Sequence, residues 1–508
     1  MRISGAFLAG LIPAALWAQD RPLSAIDWLS KAPPVVFEDP VLLEPPVAKT
    51  GSIPSVAVQT LEQTAPLVGL VPAATTGLPE SLWDHSTPQI LERLIANAPV
   101  LRSPPMQQLL FTLLLADARA PVGDDGAVLL ARARRLIDLG ASDAALALLD
   151  QVGADQSASI FAMWFEASLL IGDESRGCQV LERTPRLSPD EAVRIYCAAL
   201  TGDWNTAALL AESAHALKTI PLARLNLIDR YLSPDIFEDA PALPQPQSPT
   251  VLDVRLAEAI GEPMSIASLP RAFAPIDLRD VAGWKGQIEA AERLVRSSAL
   301  EPNRLLGLYT ERKAAASGGV WDRVRAMQRF ERALEQGDLA EIGAALPLIW
   351  DQMVQLGLQS AFAGLFEDRL SALNIDETST RTLIWHIALL SPNYENAALA
   401  MPDNTPMSVF LSELALGKPM RADQLNPLAL AIADGFAVEA KVPANLTLMR
   451  DEGALGAYIL SAIALFDTGA QGDLNALSSA LSAFRAIGLE DTARRAALHL
   501  LLKKATRT

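Results

Sequence analysis

Residues 128–217 contain three turns of one design: Gly140-Ala-Ser-Asp-Ala-Ala145, Gly172-Asp-Glu-Ser-Arg-Gly177 and Gly202-Asp-Trp-Asn-Thr-Ala207. An apolar segment with helical spacing runs up to each Gly, and a second one begins after each turn. Glycine suits the end of a helix because, lacking Cβ, it takes the left-handed backbone conformation without strain. Five positions on stands a small residue (Ala145, Gly177, Ala207), and four beyond that an apolar one (Leu149, Leu181, Ala211). The turns recur at spacings of 32 and 30 residues. A helix pair of this length cannot bury its own apolar face, so stacked neighbours must share one continuous core. The expected fold class is therefore all-α, an α-solenoid of stacked antiparallel helix pairs.

Composition agrees with this outside the Pro-rich parts. Of the 508 residues, 50% are apolar and 20% charged, enough for a large core, and Ala and Leu dominate the apolar set. Strict apolar–polar alternation is scarce. The turn recurs less regularly at Gly337-Asp338, Gly472-Asp473 and Gly488-Leu489, with Ile342, Leu477 and Ala493 five positions on. Helices are expected over 87–96, 105–118, 286–297, 301–309 and 320–336, and a core helix over 455–466. A charged closing helix is expected at 492–504. Ser188-Pro189-Asp190-Glu191 reads as a capping box, and Asp173 and Asp203 as caps of the helices that follow them.

The formal charge of −17 argues against a nucleic-acid partner, which would need a basic footprint. Residues 1–18 carry Arg2, a short apolar run and Ala18 ahead of Gln19, the pattern of a cleavable export signal. The run is too short to span a bilayer, and no transmembrane span is expected after signal removal. The expected organisation is a signal peptide at 1–18, a Pro-rich linker at 19–86, and a helical-repeat domain at 87–233. A Pro-rich connection at 234–277 and a second helical-repeat domain at 278–508 complete it. The apolar patches at 53–58 and 67–71 allow another reading of the linker, as a strap along the solenoid. A segment at 24–30 centred on Trp28 is short and amphipathic enough to fold into a partner's groove.

Cys178 and Cys197 fall at nearly the same height on consecutive helices. In an oxidising compartment they can join as a disulfide; two buried thiols are the other reading.

Motifs for nucleophilic, phosphate-binding, zinc-peptidase and dinucleotide chemistry do not occur in the sequence. The four histidines are dispersed, so no cofactor or metal is expected. One stretch has the elements of an anion site: Arg312, Lys313, Ser317, Gly318, Gly319 and Arg323 around the start of a helix, where free backbone amides attract negative charge. The competing reading is an interhelix loop capped by Ser317 with its cations in water.

The 128–217 stretch resembles the tetratricopeptide repeat family, whose period is about 34 residues. The match lies in the second helix of each pair, with Trp204 at a frequent aromatic position; the Trp-x-x-Leu-Gly start of the first helix is absent. The resemblance implies a concave peptide-binding face. Ser24-Ala-Ile-Asp-Trp-Leu-Ser30, Gly77-Leu-Pro-Glu-Ser-Leu-Trp83 and Ser317-Gly-Gly-Val-Trp-Asp-Arg-Val324, in that order, also look like a family of exported alphaproteobacterial proteins, some labelled antifreeze glycopeptide polyprotein. Ice binding does not follow, since Ala-Ala-Thr occurs once, at 73–75. The expected function is a periplasmic, non-enzymatic scaffold for a protein or peptide of the cell envelope. The alternatives are a peptidoglycan-acting enzyme or its regulator, and a structural accessory of a trans-envelope motor or secretion complex.

Overall fold

A computed structural model describes residues 66–99, 103–279, 281–422 and 424–505. The export signal, the Trp28 segment and the 53–58 patch lie outside the described residues. Almost all regular structure is α-helical, and consecutive helices pack as antiparallel neighbours. Ala127–Leu139 packs on Ser142–Asp150, Glu191–Leu200 on Trp204–Leu217, Val320–Gln336 on Leu339–Leu356, and Leu455–Ala470 on Leu474–Ala486. The chain is a helical-repeat solenoid.

The repeat turns form for the reasons their residues supply. Gly140 sits at φ +86° and ends its helix with N–H bonds to Ile137 and Leu136 carbonyls; Gly172, Gly202, Gly337, Gly472 and Gly488 share the positive φ. The small position five residues on is tight. A Cβ at Gly177 would stand 2.4 Å from the Phe165 ring, and Ala145 and Ala207 are fully buried. Asp203 and Asp338 cap their helices through the amides of Thr206 and Glu341. Asp173 stands at a cap position without making the bond and pairs with Arg176 instead. The expected box at Ser188 is displaced by two residues: Asp190 caps Glu191–Leu200 through the Ala192 amide. Pro189 therefore precedes the cap rather than opening the helix.

Two expectations about organisation change. Residues 66–86, assigned to the linker, are part of the fold. Leu67 and Val68 pair antiparallel with Arg119 and Ala118, and Leu82 and Trp83 are almost wholly buried. For residues 67–71 the strap is the arrangement found. Arg132 fixes it. This fully buried side chain donates to the carbonyls of Leu114, Ala116 and Val68 at 2.9, 2.8 and 2.9 Å. Desolvation lowers its pKa to about 10, so it stays charged at neutral pH.

The second change concerns the division at 234–277. The described residues from Pro66 onward belong to one compact unit, and a single hydrophobic cluster runs from Leu78 to Leu502. Within the expected connection, Val251–Ala259 is a helix with a Thr250–Asp253 capping box, and Arg271–Leu278 packs on Ala127–Leu139 and Ala158–Ile171. Ser297 donates to the Leu139 carbonyl at 2.7 Å, which ties the helix after the Pro-rich stretch back to the first repeat. Proline clusters mark irregular backbone; residues 234–250 do run over the surface, while the helical pieces that follow them enter the shared core.

The first and last helices also meet. Pro104–Leu115 packs on Glu490–Ala505, and Pro88–Asn97 on Leu455–Ala470.

Candidate functional site

Where the ends of the array meet, a cavity of about 570 Å³ opens between six separated stretches. They are the strap at 71–76, the Pro104–Leu115 helix, residues 295–302, residues 357–364, residues 389–392 and the closing helix. Its size falls in the range of small-molecule sites. Much of the wall is apolar, with Phe111, Leu115, Val295, Leu358 and Leu390 among its residues; Pro104, Pro105, Pro302 and Pro392 stiffen it. Gln108, Thr112 and Ser360 add neutral polar groups.

The charged lining is Arg296, Arg495, His499 and Glu301. Among the described residues Arg296 has no carboxylate within ion-pair distance, and Arg495 reaches Asp491 at 3.8 Å, beyond hydrogen-bond length. His499 is almost completely buried, and burial, aided by Lys503, drives its pKa down to about 3. It therefore lines the cavity as a neutral imidazole. Beyond the wall, Arg271 is flanked by Arg296, Arg293 and Arg135, and its Nε is buried without a hydrogen-bond partner. Burial first, then these like charges, lower its pKa to about 10.

The residues singled out from sequence around 312–323 are not gathered into an anion cradle. Arg323 turns inward and grips Glu292 with two bonds of 2.7 Å, while Tyr309 donates to the same carboxylate at 2.7 Å. Burial and the Glu292 charge push the Tyr309 hydroxyl pKa well up. Arg312 pairs with neighbouring Glu311, and Lys313, Ser317 and Gly319 are exposed. The Gly318 amide bonds the Asp322 carboxylate at 3.1 Å. A side chain of this protein thus occupies one of the amides that an anion would have used. Ser317 does not cap the helix; Gly319 is the residue at that position, without a side-chain bond.

Cys178 and Cys197 are joined by a disulfide between Glu174–Arg183 and Glu191–Leu200. Beside it Tyr196 donates to Glu174 at 3.0 Å, and Arg255 bridges Glu174 to Glu258, which Arg279 also holds. Sequence reading missed this network and the cavity charges alike, because their members are far apart in the chain. The signal that existed was an Arg set among apolar residues of a helix, as at Arg132 and Arg255.

Fold and cavity together define a class: an all-α helical-repeat protein whose ends close around an internal pocket. No family model, curated protein or solved structure matches the chain. Among the described residues, no helix is long and apolar enough to cross a membrane, and no group of three His, Cys, Asp or Glu side chains is placed to hold a metal ion.

Proposed function

We propose that this chain is a periplasmic, non-enzymatic helical-repeat scaffold that binds a protein or peptide partner of the cell envelope. The observation that carries the reading is the outer face of the third repeat. Trp204–Leu217 buries only Ala207, Ala211 and Ala214, while Leu209 and Leu217 stand 68% exposed and Trp204 51%. An ordinary amphipathic helix turns its large apolar residues inward. Here alanines make most of the inner contact while Leu209 and Leu217 face out, as does Leu222, also 68% exposed, at the start of the next helix; half-exposed Trp204 lies beside the Tyr231 ring. Apolar groups clustered on a repeat surface mark an interaction face. Export is supported by the charged and apolar start at residues 2–18 and by the disulfide, which suits an oxidising compartment.

The test is a photo-crosslinking residue at position 209 in living cells, followed by fractionation and N-terminal sequencing. The reading requires a periplasmic chain starting at Gln19 and a discrete crosslinked partner lost in the Leu217→Glu, Leu222→Glu double variant. A chain retaining Met1 in the cytoplasm, or crosslinks unchanged by the double variant, would overturn it.

A further inference from the structure

We propose that the closure cavity is a binding site for a small amphipathic organic anion, with one carboxylate or phosphate head on an apolar body. This goes beyond the scaffold reading and rests on different residues. The argument begins with charge. The protein as a whole is strongly acidic, yet the cavity lining holds Arg296 and Arg495 against the single acid Glu301. The guanidiniums elsewhere in the fold show what these two lack. Arg134, Arg224 and Arg323 each hold a carboxylate within 2.7 Å. Arg296 holds none among the described residues, and Arg495 has only the long contact to Asp491. Arg296 belongs to a cationic group centred on Arg271, with Arg293 and Arg135, which adds positive potential from behind the wall. Guanidinium forks match carboxylate and phosphate oxygens, and a charge-assisted bond formed in a partly enclosed site is strong.

The rest of the lining selects the body of the ligand. Phe111, Leu115, Leu358 and Leu390 supply an apolar wall, and His499, held neutral by burial, offers a hydrogen bond without adding charge. A simple inorganic anion would leave this wall bare, and a neutral alkane would leave the arginines unmatched. The volume of about 570 Å³ accepts a medium-length chain with its head group. Because the lining comes from both ends of the array, an occupant would also bridge the first and last helices.

Gly364 provides a clean test. It lines the cavity, and a Cβ added there meets nothing within 4 Å, so Gly364→Phe fills the space without a built-in clash. Titration calorimetry on the full-length mature chain would use decanoate and decyl phosphate as probes, with decanol and acetate as controls. Both amphipathic anions should bind the wild type, and decanol and acetate should bind at least about tenfold more weakly. Arg296→Gln and Gly364→Phe should each lower decanoate affinity by about tenfold or more, as loss of a charge-assisted bond or of the space would. Circular dichroism melting curves confirm that the variants remain folded. The proposal is overturned if neither anion binds the wild type, if decanol binds as well as decanoate, or if folded Gly364→Phe binds as the wild type does. Crosslinking at position 209 reads the outer face alone, so failure of that experiment and of this one are separable.

Discussion

The backbone amide of Gly456 donates to the carbonyl of Leu82 at 2.9 Å, and the indole of Trp83 lies against Gly456 where a side chain would otherwise project. A residue before the first repeat and one in the penultimate hairpin are thereby locked together. The contact is what turns a row of helix pairs into a structure whose ends are joined. Open solenoids rely on capping repeats to cover their terminal apolar faces; this one covers each end with the other. Any Cβ at position 456 would come within 2.5 Å of the Trp83 ring and 2.8 Å of the Leu82 carbonyl. Gly456→Ala should therefore destabilise by roughly 1–3 kcal/mol, the usual range for overpacking. Gly364→Ala, at an exposed helical site with open space, should be neutral or slightly stabilising. Urea unfolding of the two variants side by side checks the contrast.

The disulfide predicts a second stability difference. On the loop-entropy view, a crosslink closing a loop of this size contributes roughly 3 kcal/mol. Replacing both cysteines, Cys178→Ser with Cys197→Ser, should lower stability by about that amount in non-reducing buffer. Adding a reductant should bring the wild type towards the double variant and leave the variant unchanged. Denaturation with and without reductant, with intact-mass measurement of the bonded state, provides the check.

Sequence reading reached the repeats because their logic is local. Gly140, the small Ala145 and the apolar Leu149 lie within one turn and two helical turns, and each does in the fold what its type dictates. The same locality explains the failures. Among the described residues, the prolines at 66–79 and 234–275 signal interrupted helix, but helix interruption says nothing about burial. Trp83 is 1% exposed because Gly456 leaves room for it, a fact written far away in the chain. The Gly318-Gly319 start left an anion site and an interhelix loop both open, because the sequence does not show which groups Arg323 and Gly318 bond. Glu292 lies a helix hairpin earlier, and Asp322 reaches back from the first turn of the helix to the Gly318 amide. Arg296 and Arg495 carry no local mark at all.

His499 predicts how acid acts on the fold. Its folded-state pKa of about 3 lies below the usual 6.5 because burial opposes the charge, with Lys503 adding repulsion. Between these values the unfolded chain takes up a proton that the folded one refuses. The stability is then fully present above about pH 6.5 and is lost as pH falls towards 3, by about 1.4 kcal/mol per unit. Burial lowers the His386 pKa too, which adds a loss of the same sign. His499→Leu should remove part of this dependence, flattening the fall between pH 6 and pH 4 by about 2 kcal/mol. Urea midpoints collected across that interval for the two proteins measure it.

Arg132 predicts a cost that comes from backbone bonds rather than from a direct ion pair. Its three bonds go to backbone carbonyls, so truncation to Met leaves the Leu114, Ala116 and Val68 oxygens short of donors in a dry setting. A loss of roughly 3–5 kcal/mol is expected. Arg132→Lys should recover only part, because one ammonium cannot present the planar fork that reaches three separate oxygens. Hydrogen exchange adds the local readout. The Leu70 and Val71 amides, which bond the Leu115 carbonyl, should lose protection before the rest of the fold.

Arg323 and Arg312 separate a clamp from a surface charge. Glu292 is 7% exposed and has two partners, the Arg323 guanidinium and the Tyr309 hydroxyl. Arg323→Ala would leave that carboxylate buried beside a neutral phenol, with a helix hairpin's worth of packing unable to rehydrate it. Breaking one side of such a pair costs about 3–5 kcal/mol. Arg312 meets only Glu311 on an open surface, where ion pairs contribute about 0–1 kcal/mol, so Arg312→Ala should change stability little. Replacing the whole triad by apolar side chains of similar size, Arg323→Met with Glu292→Leu and Tyr309→Phe, should restore most of what Arg323→Ala loses, since no charge is then stranded. Were these cations instead holding an external anion, the two single variants would fall together in anion affinity and neither would unfold early. Melting curves of the singles and the triple variant, taken with and without added phosphate, decide between the two, and the geometry around Glu292 requires the unequal outcome.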